Sequence, residues 1–571
     1  MEIKEEKSAE KKIIIYQVFP RLFGNDNSHS LRNGDILDNG CGKMNDFTPK
    51  VLSEIKKLNI THIWYTGIIE HATKTDYSQY SIRRDHPAVV KGRAGSPYAI
   101  KDYYDVDPDL ATNVSSRMEE FESLVARTHK SGLKMIIDFV PNHVARQYHS
   151  DAKPEGVADL GEKDNADIAF SPYNNFYYIP QTHFHGQFDL KAGESQAYRE
   201  YPTKVTGNNK FDACPTTNDW YETVKLNYGV DFVNGSTCHF SPVPDTWLKM
   251  VDILLFWSGK GVDGFRCDMA EMVPVEFWIY AITAIKKKYS HILFVGEIYN
   301  PSNYYNYIVK GGFDYLYDKV GLYDTLRGIA SGYKATRDIT GCWQSLNGQE
   351  KRMLNFMENH DEQRIASDFF AKDPRKGFAA MMVCTLMNTN PVMIYSGQEF
   401  GERGMDAEGF SGYDGRTSIF DYWSLSTIRR WRNKGKYDTS LMDQRERETY
   451  KFYLKLMKIA QEPAITTGTF FDLMYVNGGN WDFNDAKQYA FLRCSRTELL
   501  LIIANFDDHS VDVSVNIPSH AFDYLQIPQK RMARAKDLFS GEEEILSIVP
   551  YQPAITRLPA FTGKVLKIEL I

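Results

Sequence analysis

The chain has 571 residues, with 67 basic against 74 acidic side chains and a formal net charge of −7. That balance gives no electrostatic case for binding nucleic acid or an anionic membrane, and no apolar stretch approaches the ~20 residues that span a bilayer. Seven cysteines at scattered positions form neither a disulfide framework nor a metal-ligand pattern. The start, Met1 to Lys12, is charged and lacks the apolar core of an export signal. A cytoplasmic setting is the expectation, with a periplasmic or secreted protein whose signal has been trimmed as the alternative.

Lys12 to Pro20 (KIIIYQVFP) reads as a first strand and Ile60 to Gly67 (ITHIWYTG) as a second. Between them Thr48-Pro49 opens a helix, a hydroxyl cap followed by proline, with Val51, Ile55 and Leu58 on one face. Met118, Phe121, Leu124 and Val125 repeat at helical spacing before Gly132. Leu133 to His143 (LKMIIDFVPNH) is a third strand that ends in polar residues. The stretch from Ala145 to Tyr228, rich in Tyr, Asn, Gly and Pro and without a sustained period, predicts a loop-rich subdomain. Asp245 is then expected to cap a helix with a stripe of Leu248, Val251, Leu254 and Leu255. Gly264 to Asp268 (GFRCD), Ile292 to Glu297, Gly312 to Asp318, Met353 to Asp361 and Pro391 to Gln398 complete eight strand candidates. After a helix over Arg445 to Ile459, the runs Gln488–Arg493, Leu499–Phe506 and Ser510–Ile517 read as successive antiparallel strands.

Continuous apolar runs suit strands buried on both faces, as in a parallel sheet. Several carry charge at the C-terminal end, which is the active-site end of a (β/α)8 barrel. The expected architecture is therefore a (β/α)8 TIM barrel from 1–144 and 229–465, an insertion at 145–228 after strand 3, and a C-terminal antiparallel β-sandwich domain at 466–571. Within the fourth strand, Arg266 and Asp268 alternate onto one face while Phe265 and Cys267 take the other. An arginine beside an aspartate favours the ionised carboxylate that an oxygen nucleophile needs.

Asp138–His143 (DFVPNH), Gly264–Asp268, Gly296-Glu297 and Asn359–Asp361 (NHD) resemble, in order, the signature regions of the α-amylase family of glycoside hydrolases. Ser96–Pro108 and Tyr395–Glu399 match it as well. The resemblance implies a retaining α-glucan hydrolase. Asp268 would be the nucleophile, Glu297 the general acid and base, and Asp361 a third carboxylate that holds sugar hydroxyls and stabilises the transition state. Tyr98, His143, Arg266 and His360 would surround the sugar, Asp138 would be structural, and Asn142 matches a position that often binds calcium. The substrate would be starch or glycogen-type polymer or maltooligosaccharide, with no organic cofactor. A transglycosylase would use the same residues with a sugar acceptor, and a non-catalytic relative would lack the carboxylates that this chain has.

Two departures stand out. Met269-Ala270-Glu271-Met272 follows the nucleophile where many α-amylases have a lysine-histidine pair, and Val224-Lys225-Leu226-Asn227 stands near the usual proline-aspartate-leucine motif. The second puts the calcium site in doubt. Asn25-Asp26-Asn27 and Asp35 to Asn39 offer other oxygen ligands, although a solvated turn-rich loop is the simpler reading.

Overall fold

The computed structural model describes residues 11–570; the charged residues 1–10 and residue 571 lie outside the described residues. Eight short strands form one parallel sheet: β1 (Ile14–Val18), β2 (His62–Tyr65), β3 (Lys134–Phe139), β4 (Gly264–Cys267), β5 (Leu293–Gly296), β6 (Tyr315–Tyr317), β7 (Met353–Leu354) and β8 (Val392–Tyr395). Neighbours follow the order β7-β6-β5-β4-β3-β2-β1-β8. Asn355, one residue past β7, pairs in parallel with Val392 of β8 and closes the ring. The strands are almost wholly buried because side chains fill the barrel and helices cover its outside.

Local chemistry accounts for several helix ends. Thr48 caps Pro49–Lys56, its hydroxyl accepting from the Val51 N–H at 3.3 Å. The helix Arg117–Lys130 buries Phe121, Leu124 and Val125 and gives way to Gly132 at φ +70°. Asp443 and Glu446 form a reciprocal capping box at the start of Gln444–Ile459. The helix Asp245–Gly259 departs from expectation. Pro244 holds the cap position, and the Asp245 carboxylate instead accepts from Asn175 of the insertion at 2.9 Å. Its buried face runs through Trp247, Met250, Val251, Leu254 and Trp257, and Leu248 is 46 % exposed. Two indoles bury more apolar area than the leucines of the expected stripe, so they set the rotation of the helix.

The third segment splits at Pro141. β3 ends at Phe139, and His143–Ala145 forms a separate antiparallel ribbon with Thr223–Lys225, the last strand of the insertion. The seventh is strand only at Met353–Leu354, so Asn359, His360 and Asp361 lie on irregular chain at the barrel mouth. The C-terminal region carries a six-stranded antiparallel sheet from Thr469–Asp472 to Gly563–Glu569, with a two-stranded ribbon of Val511–Val515 and Ala554–Leu558.

Candidate active site

Register brings the central groups together. Cys267 of β4 lies opposite Phe139 of β3 on one side and Gly296 of β5 on the other. Asp268 and Glu297, the next residues along, therefore leave adjacent strands at the same level. Arg266 sits between them: Nη1 donates to Asp268 Oδ1 at 2.7 Å and Nη2 to Glu297 Oε2 at 2.6 Å. One guanidinium spanning both carboxylates keeps them close, as the ~5 Å pair of a retaining glycosidase requires. Trp64, Tyr98 and Tyr317 surround the guanidinium at 5.3, 5.3 and 5.6 Å from their ring centres, and Tyr317 accepts from Nε.

Asp361 joins this cluster through His360, whose Nε2 lies 3.1 Å from Asp361 Oδ2. His360 also meets the Tyr98 hydroxyl at 2.5 Å, and Gln17 Nε2 donates to its Nδ1 at 2.8 Å. With Nδ1 accepting, the ring proton belongs on Nε2, aimed at Tyr98 and Asp361. Burial and the nearby Arg266 hold His360 well below its ordinary pKa, so it is neutral. His143 Nε2 stands 4.0 Å from Asp268 Oδ2, and burial pushes its pKa down to about 3. Asp138 accepts from Trp64 Nε1 and the Gly67 N–H, the structural part expected of it. The six other predicted catalytic and substrate-binding residues thus meet around Arg266. Asp268, Glu297, Asp361, Tyr98 and His143 line one cavity of about 380 Å³.

Arg266 does not act alone on Asp268. Burial pushes the Asp268 carboxyl well above the usual carboxylate range, with Glu297 and Asp361 adding to the push against the pull of Arg266. Three buried acids, Asp138, Asp268 and Glu297, share one guanidinium, and the half-exposed Asp361 adds its charge from the cavity side. A positive charge developing on a bound sugar would favour the ionised form that attack requires.

Other residues of the site lack a motif of their own. Tyr299 donates to Glu297 Oε1 at 2.5 Å, and the Met269 N–H donates to Oε2 at 2.8 Å. Met269 sits at φ +42°, an uncommon conformation for an unbranched side chain outside glycine. Glu271 is spent on a neighbouring loop: its carboxylate accepts from the Tyr299 and Asn300 N–H groups and from Asn303 Nδ2. The glutamate thus anchors the loop carrying Tyr299. Gln17 and Tyr317 lie on β1 and β6, and the rule that barrel chemistry gathers at strand ends would have found both.

The calcium expectation at Asn142 is corrected. Its Oδ1 accepts from Lys225 Nζ at 2.7 Å, and its Nδ2 donates to the Gly207 carbonyl at 2.9 Å. An ammonium already occupies the oxygen that would face a divalent ion, and a second cation there would be repelled. The first-loop oxygens are spent on turns and caps, with Asp35 accepting from the Leu37 and Asp38 N–H groups. Among the described residues, Glu70, Asp102 and Asp105 bring carboxylate oxygens within 4.8 Å of one another. Arg117 pairs with Asp105, and Lys101 lies 3.8 Å from Glu70, so cations of the chain answer much of that charge.

A barrel presenting three carboxylates beside a buried arginine, in a cavity lined by aromatics and the neutral His143, has the arrangement of a glycoside hydrolase. Comparison sets the family. Residues 17–449 match the model for the alpha amylase catalytic domain. Alpha-amylase 3 of Dictyoglomus thermophilum is 25 % identical over 473 residues, covering 79 % of this chain and 77 % of its own. Among solved structures, the maltogenic alpha-amylase AmyB of Thermotoga neapolitana aligns with a TM-score of 0.62 at 18 % identity, covering 98 % of this chain and 99 % of its own. The cyclomaltodextrin glucanotransferase CldA aligns at 0.64 and 17 %, covering 98 % and 99 %. These two likenesses speak for the fold. The chain belongs to the α-amylase family, and it is an α-glucan-active glycoside hydrolase.

Proposed function

We propose that the protein cleaves α-glucosidic bonds, most readily α-1,4, with retention through a glycosyl-enzyme on Asp268. Asp268 attacks the anomeric carbon as Glu297 gives its proton to the glycosidic oxygen and the leaving sugar departs. Glu297 then takes a proton from water, whose oxygen bonds to the anomeric carbon and frees Asp268. Asp361, held by His360, meets sugar hydroxyls and opposes the positive charge of the transition state. The observation that carries this reading is the double grip of Arg266 on Asp268 and Glu297.

Asp268→Asn and Glu297→Gln should each lower kcat on maltooligosaccharides by ~10³ or more while the thermal melt stays near that of the unaltered protein. Near-normal turnover in either variant would remove the assigned role. Transfer to a sugar hydroxyl in place of water would use the same residues. Chromatography of a maltotriose digest distinguishes the two, since products longer than the starting sugar belong to transfer.

A further inference from the structure

We propose that Lys91 and Glu222 end the glycone side of the catalytic cavity, so that the enzyme takes the non-reducing end of short α-glucosides rather than the interior of a polymer. This inference rests on the functional reading above and narrows its substrate. Glu297 follows β5 and protonates the leaving oxygen, which puts the leaving sugar on the β5 side. Strands β1, β2 and β8 lie across the ring from β5, so the retained sugar points towards the loops that follow them. Lys91 belongs to the loop after β2, Phe420 to the loop after β8, and Glu222 to the insertion; all three line the cavity.

The wall they build is closed and fixed. Lys91 Nζ lies 3.1 Å from Glu222 Oε1, and the ammonium stands 5.4 Å from the Tyr221 ring centre and 5.9 Å from that of Phe420. Lys91 is 8 % exposed and Glu222 4 %. Behind the pair the β2 and β8 loops are locked together. The Ala94 N–H donates to the Phe420 carbonyl at 3.0 Å, and Gly92, at φ +62°, comes so close that a Cβ would stand 2.1 Å from that oxygen. Beyond the wall a second cavity of about 680 Å³ opens beside Val90, Arg93 and Tyr221. A chain threading both spaces would have to pass the ion pair.

The pair also has bonding capacity to spare. Glu222 Oε2 is buried with no hydrogen-bond partner among the described residues, and an ammonium carries three donors. A buried acceptor left unmet is costly. Sugar hydroxyls donate and accept, so a terminal residue can meet the Lys91 ammonium at the cavity wall, and Glu222 Oε2 once the carboxylate turns towards the cavity. An internal residue has its 4-oxygen tied into the next glycosidic bond and a further ring to place.

The test compares maltoheptaoside with the same sugar ketal-blocked at its non-reducing 4- and 6-hydroxyls, products being followed by chromatography. The unaltered protein should degrade the blocked sugar roughly a hundredfold more slowly or worse. Lys91→Ala/Glu222→Ala should narrow that gap by about tenfold. Should the double variant fail to fold, Lys91→Met keeps the stem and loses the donors. It should raise KM for 4-nitrophenyl α-maltoside about tenfold with kcat nearly unchanged. Equal rates on blocked and unblocked sugar, a gap untouched in the folded double variant, or an unmoved KM in Lys91→Met would overturn the inference. Cleavage of neither sugar would sink the functional reading with it.

Discussion

Two buried charged sites lie side by side in this molecule and are built on opposite terms. At the barrel mouth, Asp138, Asp268 and Glu297 crowd around the single guanidinium of Arg266 with Asp361 beside them, and burial drives Asp268 and Asp361 upward. A few residues away, at the junction of barrel and insertion, one ammonium, Lys225, faces a neutral amide, Asn142, and burial lowers its pKa to about 7. Negative charge is in excess at the first and positive charge at the second. The excess at the first is useful because a positively charged transition state can enter it. Neither Lys225 nor Asn142 lines the catalytic cavity, and the hydrogen bond between them joins two parts of the fold. Burial of charge alone does not mark a catalytic centre; an unanswered surplus facing a cavity does.

The comparison breaks most violently if Arg266 is removed. Arg266→Met leaves three buried carboxylates without their shared cation, and breaking a buried pair in this way costs about 3–5 kcal/mol. Chemical denaturation should show that loss, together with activity below detection. A variant as stable as its parent would mean that the carboxylates do not depend on Arg266.

A smaller change sharpens the same contrast. Because Asp361 helps to push Asp268 upward, Asp361→Asn should lower the pH at which Asp268 protonates. The nucleophile works ionised, so activity is present above its pKa and lost as pH falls through it. The acid limb of kcat/KM on an aryl α-glucoside should therefore move to lower pH in Asp361→Asn. An unmoved limb would show that the two carboxylates do not communicate.

The barrel and the convergence of its carboxylates were legible because their signals are local. Apolar runs ending in charge mark parallel strands at any position, and alternation along GFRCD placed Arg266 beside Asp268 before any tertiary contact was known. The face of the helix Asp245–Gly259 was not legible, because its rotation depends on which side chains meet a pocket built by other segments. Lys225 was visible as a departure from the usual motif. Its partner was not, since the bond to Asn142 joins residues 83 positions apart. Lys91 and Glu222 carried no motif, and only the approach of the β2 loop to the insertion gives them meaning.

The gentlest test returns to Lys225. In the unfolded chain a lysine titrates near 10.4, whereas in the folded protein burial brings Lys225 to about 7. Between those values the unfolded state holds one more proton than the folded state, so stability rises with pH by about 1.4 kcal/mol per unit. The same group contributes no slope below pH 7, where both states are charged. Lys225→Met removes this rise, and urea denaturation at pH 7 and pH 9 should show a smaller gain for the variant than for its parent. At pH 7 itself the variant should be the more stable, because relief from burying the ammonium, spread over more than about three pH units, exceeds the ~1–3 kcal/mol of the unmet Asn142 oxygen. Chelator should leave the melting temperature of both proteins unchanged. A drop reversed by calcium in the parent would show that a divalent ion, and not the lysine alone, holds the insertion to the barrel.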